Sequence, residues 1–259
     1  MSMLKKVIVP LDGSLLAEQA IDAAAAIAER IVLVHAVTPA EWFAMPADEL
    51  VARERKRSIA HLEKLAGPLR RRGIGAEALV RNGEPSKVVS ELARREKAEL
   101  IVMSSHGRTG TREWAFGSVA ERTMRRSKVP VLAVRGRVRV PFTVKKILVP
   151  LDGSGREARS LGLVRAIAGT CSSEVVFLHV PPHPKGALKQ AARESVGNDR
   201  FLIREGEPAE TILRVMREEE ADLLALTVAP KMEGDYVMFG RVAERILREI
   251  DRPVILAKG

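Results

Sequence analysis

Residues 5–14 read KKVIVPLDGS, and residues 145–154 read KKILVPLDGS. Within each copy a short apolar run, Val7–Pro10 in the first, ends at a proline. A continuous apolar run of that length is the pattern of a strand buried on both faces of a parallel sheet. The Asp-Gly-Ser that follows leads into an Ala-rich stretch, 15–30, with Ser14 placed to cap a helix. A second echo follows downstream, where RNGEP at 81–85 returns as REGEP at 204–208. From there the two halves align without a gap to the end, FGSVAERTMRRSKVPVLAVRG at 116–136 against FGRVAERILREIDRPVILAKG at 239–259. The period is too long for a solenoid unit, so a whole domain is duplicated. The expected domains are 1–138 and 143–259, with the linker near Gly136–Thr143.

Outward from the repeat, strand and helix alternate. The first half predicts strands at 7–10, 31–37, 76–80, 100–104 and 129–134. Helices fall between them at 15–30, 48–71, 86–97 and 118–126, and Pro85 sits at a helix start. The second half repeats the order, with a shorter second helical region at about 184–196. This pattern predicts an α/β protein: two tandem doubly wound domains, each an open five-stranded parallel sheet with helices on both faces. Such sheets bind ligands outside the carboxyl ends of their strands, where the strand order reverses.

Length and composition agree with that outline. The 259 residues suit about two domains, and a hydrophobic fraction of 46% supports a sizeable core. No apolar run is long enough to span a membrane, and the N-terminus lacks a secretory pattern. A single cysteine, Cys171, excludes an internal disulfide, so a cytoplasmic location is expected. The net charge of +10 is uneven: residues 1–140 carry 25 Lys and Arg against 16 Asp and Glu, residues 141–259 carry 18 against 17. Such a balance suits a solvated basic surface or an anionic ligand. Nucleic acid is disfavoured as a partner, because aromatics are only 3% and no stacking platform is visible.

The strand-end segments of the first half hold its chemistry. Pro10-Leu11-Asp12-Gly13-Ser14 follows the first strand, Ser104-Ser105-His106-Gly107 the fourth, and Gly117-Ser118 opens the next helix. A Gly-Ser pair at a helix start presents unpaired backbone N–H groups to an anion, although capping alone also accounts for it. Together with V-P-L-D-G-S, VMSSHGRTG and GSVAER, these segments resemble the universal stress protein family, over nearly the whole chain and twice. The family's nucleotide-binding members carry G-x-x-G, nine residues, then G-S or G-T. This chain has Ser104-Ser105-His106-Gly107, residues 108–116, then Gly117-Ser118.

The resemblance implies that the N-terminal half binds ATP. Asp12, with the backbone of Pro10 and Leu11, would lie against adenine and ribose, and Ala36 would contact the adenine. Met103 and Ser104 would line the nucleoside. His106, Gly107 and Arg108 would approach the phosphates, and Gly117, Ser118 and Val119 would hold them. Any Mg²⁺ would come with the nucleotide. Ser104 replaces the family's first glycine and would either crowd the ribose or hydrogen-bond to it. The second half departs further: Thr227-Val228-Ala229-Pro230, nine residues, then Gly240-Arg241. Pro230 has no N–H to donate, so this loop is read as degenerate.

The remaining candidates read as structure. His35 and His179, at equivalent strand ends, are expected to be satisfied packing residues. No catalytic triad, Walker loop, H-E-x-x-H or C-x-x-C pattern occurs, so no catalytic or metal residue is assigned. Trp42, Phe43 and Met45 read as a loop packed on its own domain, or else a lid or a partner-binding knob. The last apolar strands, 129–134 and 253–257, would meet across a pseudo-twofold axis, as the resemblance implies, and tandem chains would pair into a homodimer. The expected role is that of a stress-response regulator with at most slow ATP hydrolysis. The rivals are an ATPase and a nucleotide-free scaffold.

Overall fold

A computed structural model describes residues 3–38, 47–105, 116–135, 142–181, 196–197, 199–229, 231–233 and 236–259. The first half runs β1 (Val7–Pro10), α1 (Leu15–Ile27), β2 (Arg30–Val37), α2 (Ala47–Arg71), β3 (Gly75–Asn82), α3 (Pro85–Arg95), β4 (Leu100–Ser104), α4 (Ser118–Arg126) and β5 (Val131–Val134). The second runs β6 (Lys146–Leu151), α5 (Ala158–Cys171), β7 (Glu174–His179), β8 (Arg200–Ile203), α6 (Pro208–Glu218), β9 (Leu223–Val228), β10 (Lys231–Glu233), β11 (Tyr236–Met238), α7 (Arg241–Glu249) and β12 (Val254–Lys258). The expected helix at 184–196, the aromatic loop with Trp42, and linker residues 136–141 lie largely or wholly outside the described residues.

Ten strands form one sheet in the order β3-β2-β1-β4-β5-β12-β9-β6-β7-β8. Each run of five is parallel within itself, as the alternation of elements predicts. The join is antiparallel: Val131 pairs with Leu256, Leu132 with Ile255 and Ala133 with Val254. This register is symmetric about the point between Leu132 and Ile255, so a pseudo-twofold axis passes there. The final strands, expected to meet across such an axis, do so and lose their edges. The free edges are β3 and β8.

Alternation along each strand divides the core into two layers. Val7, Val9, Leu33, Val102 and Leu132 face one side with α1, α2 and α5. Ile8, Val34, Ile101, Met103 and Ala133 face the other with α3, α4, α6 and α7. Both layers run through the two halves, because the sheet beneath them is continuous. Small side chains at Ala17, Ala20, Ala23 and Ala24 form the buried stripe of α1, which lets that helix lie close to the sheet. One hairpin was not expected: β10 and β11 pair antiparallel in a segment read from the sequence as loop. Among the described residues, no helix is long and apolar enough to cross a membrane.

Candidate functional site

The strand order reverses between β1 and β4, and a cavity of about 260 Å³ opens there at the carboxyl ends of the strands. One wall comes from the turn after β1. Gly13 holds φ at +80°, a left-handed conformation that a side chain would strain. That turn lets the Ser14 amide donate to Asp12 Oδ1 at 2.9 Å. Ser14 Oγ in turn accepts the Ala17 amide at 3.2 Å and caps α1. The Leu11 carbonyl lies 2.7 Å from His35 Nδ1, and in the second half the Leu151 carbonyl lies 2.9 Å from His179 Nδ1. Both histidines therefore brace a strand end, which is the packing role expected of them.

The opposite wall is the start of α4. Gly117 is its N-cap and supplies no side-chain hydrogen bond. The Gly117 amide donates to the Ser105 carbonyl at 2.6 Å, which fixes the helix start against the end of β4. The amides of Ser118, Val119 and Ala120 have no partner among the described residues, and they stand at the positive end of the helix dipole. Arg122, one turn on, reaches back with Nη2 3.4 Å from Ser118 Oγ, and its Nη1 lies 3.6 Å from Glu84.

Pro10, Leu11, Asp12, Ala36, Met103, Ser104, Gly117, Ser118 and Val119, chosen from the sequence, all line this one cavity. His106, Gly107 and Arg108 lie outside the described residues. The sequence reading did not assign Ala17, Val34, His35, Pro85, Val89, Ser105 and Ala120 to the site, but they complete its lining. Pro85 and Val89 come from the first turns of α3, on the same face at i and i+4. The repeated GEP segment was the available signal for them.

The family model described as "Universal stress protein family" matches residues 3–135 and 184–258. The chain belongs to the universal stress protein family. Universal stress protein MJ0531 of Methanocaldococcus jannaschii is 29% identical over 145 residues, which cover 52% of this chain and 84% of that protein. Universal stress protein YxiE of Bacillus subtilis is 29% identical over 150 residues, covering 51% of this chain and all of that protein. A universal stress protein from Archaeoglobus fulgidus shares the fold across 99% of this chain and 97% of its own, with a TM-score of 0.78 at 20% identity. The second matched segment begins at 184. The sheet carries the universal stress protein pattern further back, since β6 and β7 take the places of β1 and β2.

A second cavity, lined by Pro150, Leu151, Asp152, Thr227, Gly240 and Arg241 among others, sits at the mirrored place in the C-terminal half. Among the described residues, no group of His, Cys, Asp and Glu is arranged to hold a metal ion.

Proposed function

We propose that this universal stress protein binds one ATP per chain, in the N-terminal cavity, and acts as a nucleotide-responsive regulator. The observation that supports this most directly is the convergence of the motif residues on one pocket whose far wall is the uncapped start of α4. Three backbone amides, a helix dipole and Arg122 suit an anion there. Apolar Leu11, Val34, Ala36 and Met103 suit a flat base at the other end. Asp12, Ala36, Met103 and Ser104 are assigned to the nucleoside, and Gly117, Ser118 and Val119 to the phosphates. His106, Gly107 and Arg108 are assigned to the phosphates from the sequence motif. Mg²⁺ travels with the nucleotide, held mostly by its phosphates and water.

The role is binding rather than turnover. Neither the sequence motifs nor the cavity lining among the described residues provides a recognised general base beside a phosphate-activating lysine, and we propose that hydrolysis is at most slow. A cytoplasmic protein that forms homodimers of tandem chains completes the reading. Calorimetric titration with ATP tests it: one site per chain is expected, lost in Gly117→Val and kept in Gly240→Val. Two equal sites, no binding, or equal losses from the two substitutions would overturn it. Mass spectrometry of small molecules released from the purified protein should detect the adenine nucleotide directly.

A further inference from the structure

The C-terminal cavity has kept its place and changed its chemistry. Its volume is about 1000 Å³, against about 260 Å³ for its counterpart. The wall has changed at three aligned positions: Val228 stands for the polar Ser105, the larger apolar Val180 for Ala36, and the charged Arg241 for Ser118. Phe239 and the exposed Met238 add apolar surface. The polar groups that remain are already engaged. Thr227 Oγ1 lies 2.7 Å from Ser160 Oγ. The Asp152 carboxylate accepts the Ser154 amide at 2.7 Å and Arg156 Nη2 at 2.8 Å. Arg241, exposed on the cavity rim, forms no side-chain hydrogen bond or ion pair among the described residues.

A large apolar wall in contact with water is unfavourable until something apolar covers it. A lone guanidinium on the rim selects one anionic group, best a planar carboxylate that it can grip with two N–H donors. A nucleotide suits the cavity poorly: Asp152 is already committed, and the glycine equivalent in sequence to Gly107 is Pro230, which has no N–H. We propose that the C-terminal cavity binds an amphiphile with an apolar tail and a carboxylate head. The tail lies against Val180, Ile212, Leu226 and Phe239, and the head pairs with Arg241.

The test is titration of the full chain with dodecanoate, below its micelle concentration, with dodecanol as the neutral comparator and with ATP absent or saturating. Dodecanoate should bind once per chain, with or without ATP. Arg241→Glu should weaken dodecanoate about tenfold or more, as expected for loss of a charge-assisted contact, and leave dodecanol unchanged. Leu226→Trp should fill the cavity and abolish binding of both. Val180→Trp, nearer the surface, serves the same purpose if Leu226→Trp does not fold. The proposal fails if dodecanoate does not bind, or if ATP displaces it. It also fails if Arg241→Glu binds dodecanoate as the wild type does, or if a folded cavity-filling variant still takes up the ligand.

Discussion

Glu157, the N-cap residue of α5, shows how far one residue can move the local physics of a strand-to-helix turn. Glu157 is only 3% exposed; its Oε1 accepts the Asp152 amide at 2.7 Å, while its Oε2 has no hydrogen-bond partner among the described residues. Burial, and then the neighbouring Asp152, push the Glu157 carboxyl above its ordinary range. Asp152 goes the other way, to about 2. Its own burial is outweighed by hydrogen bonds from Ser154 and Arg156. A carboxyl with a raised folded-state pKa contributes stability below its ordinary value of 4.5, and that contribution is lost as the pH rises through the raised value. Glu157→Gln keeps an acceptor for the Asp152 amide and removes the charge. With its amide N–H₂ free to donate toward the Asp152 carboxylate, it should stabilise the protein near neutral pH by about 1–3 kcal/mol, the range for a buried polar group that gains a partner. Thermal unfolding followed from near neutral pH down to about pH 4 should show that gain fade. No motif or periodicity in the sequence announced Glu157. His35 and His179 were readable, because the repeat displayed them twice at strand ends.

At the scale of elements, the repeat also preserves how helices begin. Glu84 accepts the Ser86 and Lys87 amides at 3.1 and 2.9 Å and caps α3; Glu207 does the same for α6 through Ala209 and Glu210. Pro85 and Pro208 follow as first helical residues, where a missing N–H costs nothing. Burial raises the Glu84 pKa, but the Ser86 hydroxyl, the two amides and Arg122 outweigh it and leave the carboxyl below its ordinary 4.5. Its stabilisation is thus present above pH 4.5 and lost as the pH falls through the lowered value. Glu84→Ala should cost about 1 kcal/mol in urea unfolding at neutral pH, with the deficit shrinking in acid. The prolines marked both helix starts in the sequence, whereas the glutamate caps depend on a local geometry that composition does not display. The β10–β11 hairpin was likewise hidden. Its segment reads as loop in the sequence, because KME and YVM are too short to show a period.

At the scale of the molecule, the two halves share one sheet, and Arg125 of α4 ties them together above it. Its Nη2 lies 2.7 Å from Glu244 of α7 and its Nε 3.0 Å from Glu121. Its guanidinium stacks 4.5 Å over the Phe239 ring, and Lys258 Nζ donates to its carbonyl at 2.8 Å. Arg125 therefore joins the helix that begins at the proposed phosphate site to the aromatic wall of the C-terminal cavity. Arg125→Ala should lower stability by about 1–3 kcal/mol through lost packing and a partly buried ion pair. Calorimetry of the wild type should show a single cooperative transition, because β5 and β12 cannot separate without breaking both core layers. Legible from the sequence were the duplication, the alternation of strands and helices, and nine of the residues that line the N-terminal cavity. Periodicity and short loop motifs are local, and a local pattern survives translation into a sheet. That ten strands form one sheet and that the second cavity is wide and apolar emerged only once the chain was folded. Those outcomes depend on which distant side chains meet, and contact between distant side chains leaves no periodic trace along the chain.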